Sequence, residues 1–492
     1  MMKKFLIPLL GAACLLTACQ TKPSLRIQVT DRVISSDYLG NGVEWDPYDE
    51  AEAWGAEVSD ADWDKLFERL DFMRPGYVRC MINSPYRYYD AETGGYDRTR
   101  NLESIRRLLQ YCQDNGITVA YGEYNPPTWE MKDSQKWVEM SVDYLNFLVC
   151  DLGFDCIRYF IIFNEPDGNW ASTNGDYELW RSMAQRFDEE MARYPGLKQK
   201  VSLAAPDAVV GYKNPASEYD TAGWVAQSAR DLDSRIGIYD IHAYPGQHEV
   251  RSGAYAEQLR RIRAVVPAGK RLILGEAGYK YSAPEDSLLK AEYDRRVIGH
   301  PFTKGSDCNM LCYDYFYGLD MPLLAMEVMN NGLSGVAAWM LDDAMHSNGD
   351  SGRTEDVKIW GMWNILGEEV FGDPSQEELR PWYYTWSLIC RYFPAKSEIL
   401  ACDLPRQEGL RVAAARKEGA YSLAAVNFAS EPCDVEIVLP EEFSGGVLYR
   451  YTEKEQLCNK RGWPVPCQRE IDGHIFRTTI PAASFLLLTN IE

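Results

Sequence analysis

An α/β fold, a (β/α)8 barrel of the TIM type followed by a C-terminal antiparallel β-sandwich, is what this sequence predicts. Three observations carry it. From about residue 36 to about 395, eight short apolar runs alternate with amphipathic stretches, the pattern of strand–helix repeats around a parallel sheet. Eight such units close a barrel economically; the alternative is an open doubly wound sheet, but neither a Gly-x-Gly-x-x-Gly turn nor a P-loop is present to favour it. Beyond about residue 395 the helical period stops, and short strands separated by turn residues take over.

In chain order, residues 1–19 are an address rather than part of the fold. "MMKK" is the charged start, "FLIPLLGAACLL" is an apolar run too short for a permanent membrane span, and "LTAC" closes it. Leu16-Thr17-Ala18-Cys19 resembles a bacterial lipobox, which implies cleavage before Cys19 and lipidation of its thiol. That places the protein in a bacterial cell envelope, attached to membrane only through its lipidated N-terminus. Gln20 fits an outer-membrane lipoprotein, and "QTKPS" lacks the acidic cluster of surface display, which favours a periplasm-facing anchor. Residues 20–35 hold a linker and the alternating run "LRIQVTDRVI", expected to join the sandwich because a lone strand would leave its edges unpaired.

The barrel is expected over residues 36–395, with strands at 38–45, 77–83, 117–124, 158–164, 200–206, 236–244, 271–277 and 335–341. Helices lie between them. In "NLESIRRLLQYCQDNG", Leu102, Ile105, Leu108, Leu109 and Cys112 make an apolar stripe and Gly116 stops the turn. The sandwich is expected over residues 396–492, from "LRVAAA" to "SFLLLT".

At 46% hydrophobic and 25% charged, the 492 residues can bury a sizeable core. Acidic residues outnumber basic ones 73 to 51, for a net charge of -22, and no basic stripe is interleaved with aromatics. This argues against nucleic acid and anionic membrane surfaces as partners. A neutral ligand is indifferent to the charge, and 12% aromatic residues offer it flat faces. The 13 cysteines show no Cys-x-x-Cys spacing and the 5 histidines are dispersed, so no metal or other cofactor is expected. Cys458 and Cys467 are placed to pair across a turn in an oxidising compartment; the alternative is that the cysteines are small buried hydrophobes.

In a closed barrel the C-terminal ends of the strands converge on one face. Those ends carry Glu44, Trp45 and Asp46; Asn83; Glu123 and Asn125; Asn164 and Glu165; Asp207; His242 and Tyr244; Glu276; and Trp339. Packing alone does not explain a polar and aromatic rim above aliphatic strands. Two of the carboxylates end the most apolar runs, "YFIIFNE" and "RLILGE", three strand–helix units apart, so they face each other across the mouth. A pair so held can divide its labour: one ionised group attacks while one protonated group donates to a leaving oxygen, the chemistry of glycoside hydrolysis.

Asn164-Glu165-Pro166 ending the fourth strand, Glu276 ending the seventh and His242-Ala243-Tyr244 on the sixth resemble clan A of the glycoside hydrolases. The resemblance extends to families 39, 30, 51 and 5, the tail resembling the domain appended in families 30, 39 and 51; it singles out no family. It implies a retaining cleavage of β-glycosidic bonds in a glycan, with Glu276 as nucleophile and Glu165 as acid and then base. The carboxyl groups should stand about 5 Å apart, and the nearby charge of Glu276 should raise the pKa of Glu165. The resemblance also implies that Asn164 bonds the sugar 2-hydroxyl, Tyr244 steadies Glu276, Arg79 keeps the nucleophile ionised and His242 contacts sugar or nucleophile. Trp339 would be the floor under the reacting sugar. Glu44, Trp45 and Asn125, with Glu123 and Trp129, stand at the right strand ends for substrate contact without an assigned role.

Each residue also has a purely structural reading. Arg79 could serve as a salt bridge, Tyr244 and Trp339 as core aromatics, and His242 as a satisfied core histidine. Asp342, Asp343 and His346 precede a glycine-containing loop that could hold calcium but fits no calcium-loop pattern. A rival function is a carbohydrate-binding lipoprotein that has lost catalysis, against which the presence of both carboxylates speaks. Residues 278–316 either wall the cleft into a pocket or flank an open groove.

Overall fold

The computed structural model describes residues 25–49, 51, 55–303, 307–405 and 407–492. The leader and Cys19 lie outside the described residues. Eight parallel strands close a barrel in chain order: Gly42–Glu44, Tyr77–Ile82, Thr118–Glu123, Ile157–Ile161, Ser202–Val209, Ile236–Ala243, Leu272–Ala277 and Val336–Ala338. The eighth returns to the first with Ala337 opposite Gly42. Strand alternation sorts the side chains. Tyr77, Met81, Tyr159, Ile161, Ile238 and Ile273 fill the bore, while Val78, Cys80, Phe160, Leu203, Leu272 and Leu274 pack outward in the main core.

The helices follow their apolar stripes. Leu102–Asp114 buries Ile105, Leu108, Leu109 and Cys112. Asp60–Met73 begins with a reciprocal cap, in which the Ser59 hydroxyl takes the Asp62 N–H and the Asp62 carboxylate takes the Ser59 N–H. Two departures from the sequence reading concern the later strands and loops. The eighth apolar run continues past Ala338, but beyond it pairing survives only as single bonds, Trp339 N–H to Ala277 O at 2.8 Å and Leu341 N–H to Glu44 O at 3.0 Å. Segment 278–316 contains a helix, Ser287–Gly299, with no buried residue and with Leu288 and Ile298 exposed. Its apolar residues are spread round the axis, so no stripe announces it.

The second unit is a seven-stranded sheet in which Leu25–Ser35 runs antiparallel to Glu398–Asp403 and parallel to Cys433–Tyr451. With both edges of the first strand paired, the sheet folds over on Ile27, Val29, Leu400, Val412, Leu423, Ile437 and Leu488. Cys458 and Cys467 are exposed free thiols, neither paired with each other nor buried as small hydrophobes. Backbone bonds hold that turn instead, Asn459 N–H to Trp463 O and Val465 N–H to Leu457 O, both at 2.9 Å. Among the described residues no helix is long and apolar enough to cross a membrane.

The two units meet through tyrosines. Tyr451 donates to the Tyr315 carbonyl at 2.9 Å, the Tyr392 and Tyr449 hydroxyls meet at 2.7 Å, and Tyr384 donates to the Arg450 carbonyl at 3.1 Å. Gly318, inside helix Tyr317–Asn330, lies under Tyr451, whose hydroxyl would stand 2.5 Å from a Cβ added there. Glycine to alanine ordinarily favours a helix interior by up to about 1 kcal/mol. Gly318→Ala is expected to reverse that sign and lower the melting temperature in scanning calorimetry; an unchanged or higher value would mean that Tyr451 is not held against the helix.

Candidate active site

Arg79 stands at the centre of the mouth. In "YVRCMI" it shares the inward face with Tyr77 and Met81, while Val78 and Cys80 face out. Its guanidinium is fully buried. Nη1 donates to both oxygens of Glu44 at 2.6 Å and to Glu276 Oε2 at 2.9 Å; Nη2 donates to Asn164 Oδ1 at 2.7 Å and Asp207 Oδ2 at 3.2 Å. Burial works against the cation, but Glu44, Asp207 and Glu276 overcome it and hold its pKa well above the usual value. One guanidinium thus ties together the ends of the first, fourth, fifth and seventh strands.

Glu276 and Asp207 reach this centre through breaks in strand regularity. Leu272 and Leu274 face outward, and continued alternation would send Glu276 the same way. The pairing with the sixth strand slips between Leu274 and Glu276, and the slip turns Glu276 inward opposite His242. The fifth strand slips likewise between Pro206 and Ala208, where Asp207 sits at φ 65°. Glu165 also has a left-handed backbone, φ 47°. Such conformations persist when the surroundings over-determine them. Here the Glu165 N–H donates to Asp207 Oδ2 at 3.3 Å, and the Val209 N–H donates to Asp167 at 3.1 Å, joining the two loops.

Glu276 accepts Arg79 on Oε2 and the Tyr244 hydroxyl on Oε1. Glu165 accepts the Trp170 indole N–H on Oε2 at 2.6 Å, and its Oε1 lies 3.0 Å from His242 Nδ1. His242 Nε2 meets Asp207 Oδ1 at 2.9 Å. Burial disfavours the imidazolium, but Asp207 and Glu276 outweigh it and raise the His242 pKa well above its ordinary value. Burial pushes the Glu165 carboxyl up, yet the hydrogen bond and charge of His242, with Lys280 beyond, leave it below its ordinary value. The raised pKa expected for Glu165 is therefore not found. The reason is position: the His242 cation stands between the two glutamates, with Nδ1 3.7 Å from Glu276 Oε2.

A second group lines the opposite wall. The Tyr124 hydroxyl donates to Glu44 Oε1 at 2.9 Å and Asp46 Oδ2 at 2.6 Å, and His346 Nε2 lies 2.7 Å from the same Asp46 oxygen. Trp339 stacks on His346 with ring centroids 5.6 Å apart. Burial lifts the Glu44 carboxyl well above the usual range despite the pull of Arg79.

No family model and no curated protein sequence matches the chain. Solved structures do, along nearly its whole length. A GH30 endoxylanase from Clostridium papyrosolvens C71 is 15% identical, with 95% of this chain and 100% of that chain covered at a TM-score of 0.59. A GH39 β-xylosidase from Caulobacter crescentus is 12% identical, covering 94% and 99% at 0.59, and a glucosidase from Croceicoccus marinus is 12% identical, covering 95% and 98% at 0.63. The chain has the fold of these glycoside hydrolases. At such identities the likeness is one of architecture, barrel and appended β domain together.

Within this fold, alternation turns two rim residues, Trp45 and Glu123, away from the mouth. Trp45 is fully buried against Trp63 and Tyr111 on the outside of the barrel, because alternation points Glu44 inward and its neighbour outward. Glu123 likewise faces the helices, accepting from Tyr88 at 2.8 Å and Trp137 at 2.9 Å. Asn125 is half-buried beside the third strand, and no hydrogen bond among the described residues links its side chain to the Arg79 network. Trp129 is exposed. Asp342 accepts the N–H groups of Ala344 and Ile365, and Asp343 accepts those of Trp360 and Gly361 and pairs with Arg380. Their oxygens are committed to protein donors, which argues against the calcium reading. Two trios, Glu165, His242 and Glu276, and Asp207, Asp240 and His242, bring ligand-type atoms within 4.8 Å of one another; Glu165, Glu276 and Asp207 are already bound to His242 or Arg79, and Asp240 accepts the Gly275 N–H.

The sequence reading missed Tyr124 and Trp170, and left Asp46 and Asp207 on the rim without roles. The slip at Asp207 has no sequence signature; Trp170, five residues past Glu165, carries only its place in the loop after the fourth strand as a signal. Arg79→Met would leave three carboxyls without their shared cation, a loss of about 3–5 kcal/mol for a broken buried ion pair. Burial lifts the Glu44 carboxyl and the Arg79 charge pulls it down; without that charge Glu44 binds its proton still more tightly on folding, so the deficit against wild type in denaturant titration is expected to be large at pH 8 and to shrink toward pH 5. A deficit independent of pH would contradict this.

Proposed function

We propose that the protein is a retaining glycosidase cleaving β-glycosidic bonds of an oligo- or polysaccharide. One observation carries the reading. Glu165 and Glu276 face each other on the fourth and seventh strand ends with a carboxylate oxygen of each within 4.8 Å of the other. That spacing suits a nucleophile and an acid/base, about 5–5.5 Å between carboxyl groups; an inverting pair needs roughly 6.5–9.5 Å to admit a water.

The surroundings support distinct roles. Glu276, with donors on both oxygens, attacks the anomeric carbon as the bond to the leaving oxygen breaks. Glu165 supplies the proton to that oxygen. It takes that proton from solvent on Oε2, the oxygen away from His242, while the imidazolium goes on donating Nδ1–H to Oε1 and Nε2–H to Asp207. In the second step Glu165 takes a proton from water, which attacks the glycosyl ester and frees Glu276. Asn164, with Oδ1 on Arg79, keeps its amide N–H groups for a sugar hydroxyl. Trp339, buried with its ring stacked on His346, is the residue expected to form the floor beneath the sugar.

The neighbours' names set the first substrates to try, β-xylosides and β-glucosides. A 2-fluoro-glycoside of the active sugar is expected to label Glu276, located by peptide mass spectrometry. Glu165→Ala should keep most activity on substrates with good leaving groups and be partly rescued by azide. Tight glycan binding with no labelling by any β-sugar would instead favour the non-catalytic reading.

We also place the protein at the bacterial outer membrane, through Cys19. Labelled palmitate is expected to be incorporated in cells and lost in Cys19→Ala; incorporation that survives the substitution would refute the anchor.

A further inference from the structure

Both oxygens of Glu165 accept protein donors, so one bond must yield before the acid can reach a leaving oxygen. Exposure decides which. His242, on Oε1, is fully buried and fixed by Asp207 on its other side. Trp170, on Oε2, is 45% exposed and belongs to the loop that follows Glu165, outside any helix or strand. Oε2 is therefore the oxygen that faces the cleft, and the indole N–H occupies the place a leaving oxygen would take.

The loop is built to put the ring there. Asp167 anchors it to the end of the fifth strand through the Val209 N–H at 3.1 Å. The indole lies flat against Gly168, where a Cβ would overlap ring atoms Cε2, Cδ2 and Cζ2. On its outer side the ring meets Tyr212, from the segment after the fifth strand, with centroids 4.7 Å apart. Trp170 and Tyr212 thus form an aromatic wall beside the Glu165 oxygen that His242 does not hold.

We propose that Trp170 is a positioning residue for the acid and that, with Tyr212, it walls the leaving-group side of the cleft. This rests on the glycosidase reading above. The indole N–H holds Oε2 while the carboxyl is ionised. When Oε2 takes up a proton the indole gives way, and a bound leaving oxygen accepts that proton as the glycosidic bond breaks and departs; the indole then returns to the carboxylate. A hydrogen bond donated to a carboxylate favours the ionised form, so Trp170 lowers the Glu165 pKa.

The test uses the full chain and the 4-nitrophenyl β-glycoside that the wild type cleaves fastest, with the matching disaccharide and glycosyl fluoride. Trp170→Phe keeps a ring and loses the N–H. The basic limb of its kcat/KM profile should move up by about one pH unit, the effect of one lost charge-assisted hydrogen bond. Gly168→Ala, which leaves Trp170 intact but drives its ring off Glu165, should move the limb the same way. Trp170→Ala should raise KM for the disaccharide about three- to tenfold, the worth of one aromatic contact, and leave the glycosyl fluoride unchanged, since fluoride needs neither acid nor wall. A basic limb unmoved in both Trp170→Phe and Gly168→Ala, in an active and folded enzyme, overturns the inference alone. A wild type inactive on every β-glycoside overturns the glycosidase reading and this inference with it.

Discussion

The site depends on one buried guanidinium. Arg79 is fully enclosed, and its charge survives because Glu44, Asp207 and Glu276 are brought to it from three other strands. A buried cation without such partners would be untenable, and the carboxylates without the cation equally so. The arrangement is better understood as a constraint on geometry than as a source of stability, since apolar residues of like volume would hold a barrel at least as well. What Arg79 supplies is position: Glu276 Oε2 and Asn164 Oδ1 are set by the same rigid fork.

The second constraint is a proton line crossing the first. Asp207, His242 and Glu165 run in sequence, with hydrogen-bonded contacts of 2.9 and 3.0 Å, and Asp207 belongs to both the line and the Arg79 cluster. The acid's protonation is therefore not its own property. His242, held by Asp207, lowers the Glu165 pKa through its hydrogen bond and charge. The left-handed backbone at Glu165 and Asp207 fits this view, because the two bends bring the Glu165 N–H onto the Asp207 carboxylate.

The appended sheet bears on the barrel at a distance from the mouth. Its first strand precedes the whole barrel in sequence and is paired on both edges within the C-terminal sheet, so the chain's two described ends share one sheet. Tyr315, just ahead of helix Tyr317–Asn330, and helix Pro381–Tyr392 carry the tyrosine contacts to it; the first helix precedes the eighth strand, whose continuation holds Trp339 and His346.

The sequence by itself determined the repeats. Apolar runs at strand length, stripes such as Ile105, Leu108, Leu109 and Cys112, and the change of period near residue 395 are local patterns, each readable without knowing what it will touch. It also marked Glu165 and Glu276, because a charge at the end of an apolar strand is conspicuous in one dimension. The tertiary structure decided which way each rim residue faces. Trp45 beside Glu44 went outward by alternation, and Glu276 and Asp207 came inward through register slips, which depend on the neighbouring strand and leave no trace in composition. The pKa of Glu165 was decided there too. Sequence distance suggested that Glu165 would feel the charge of Glu276, but in space the cation of His242 lies between them, and electrostatics follows distance in space.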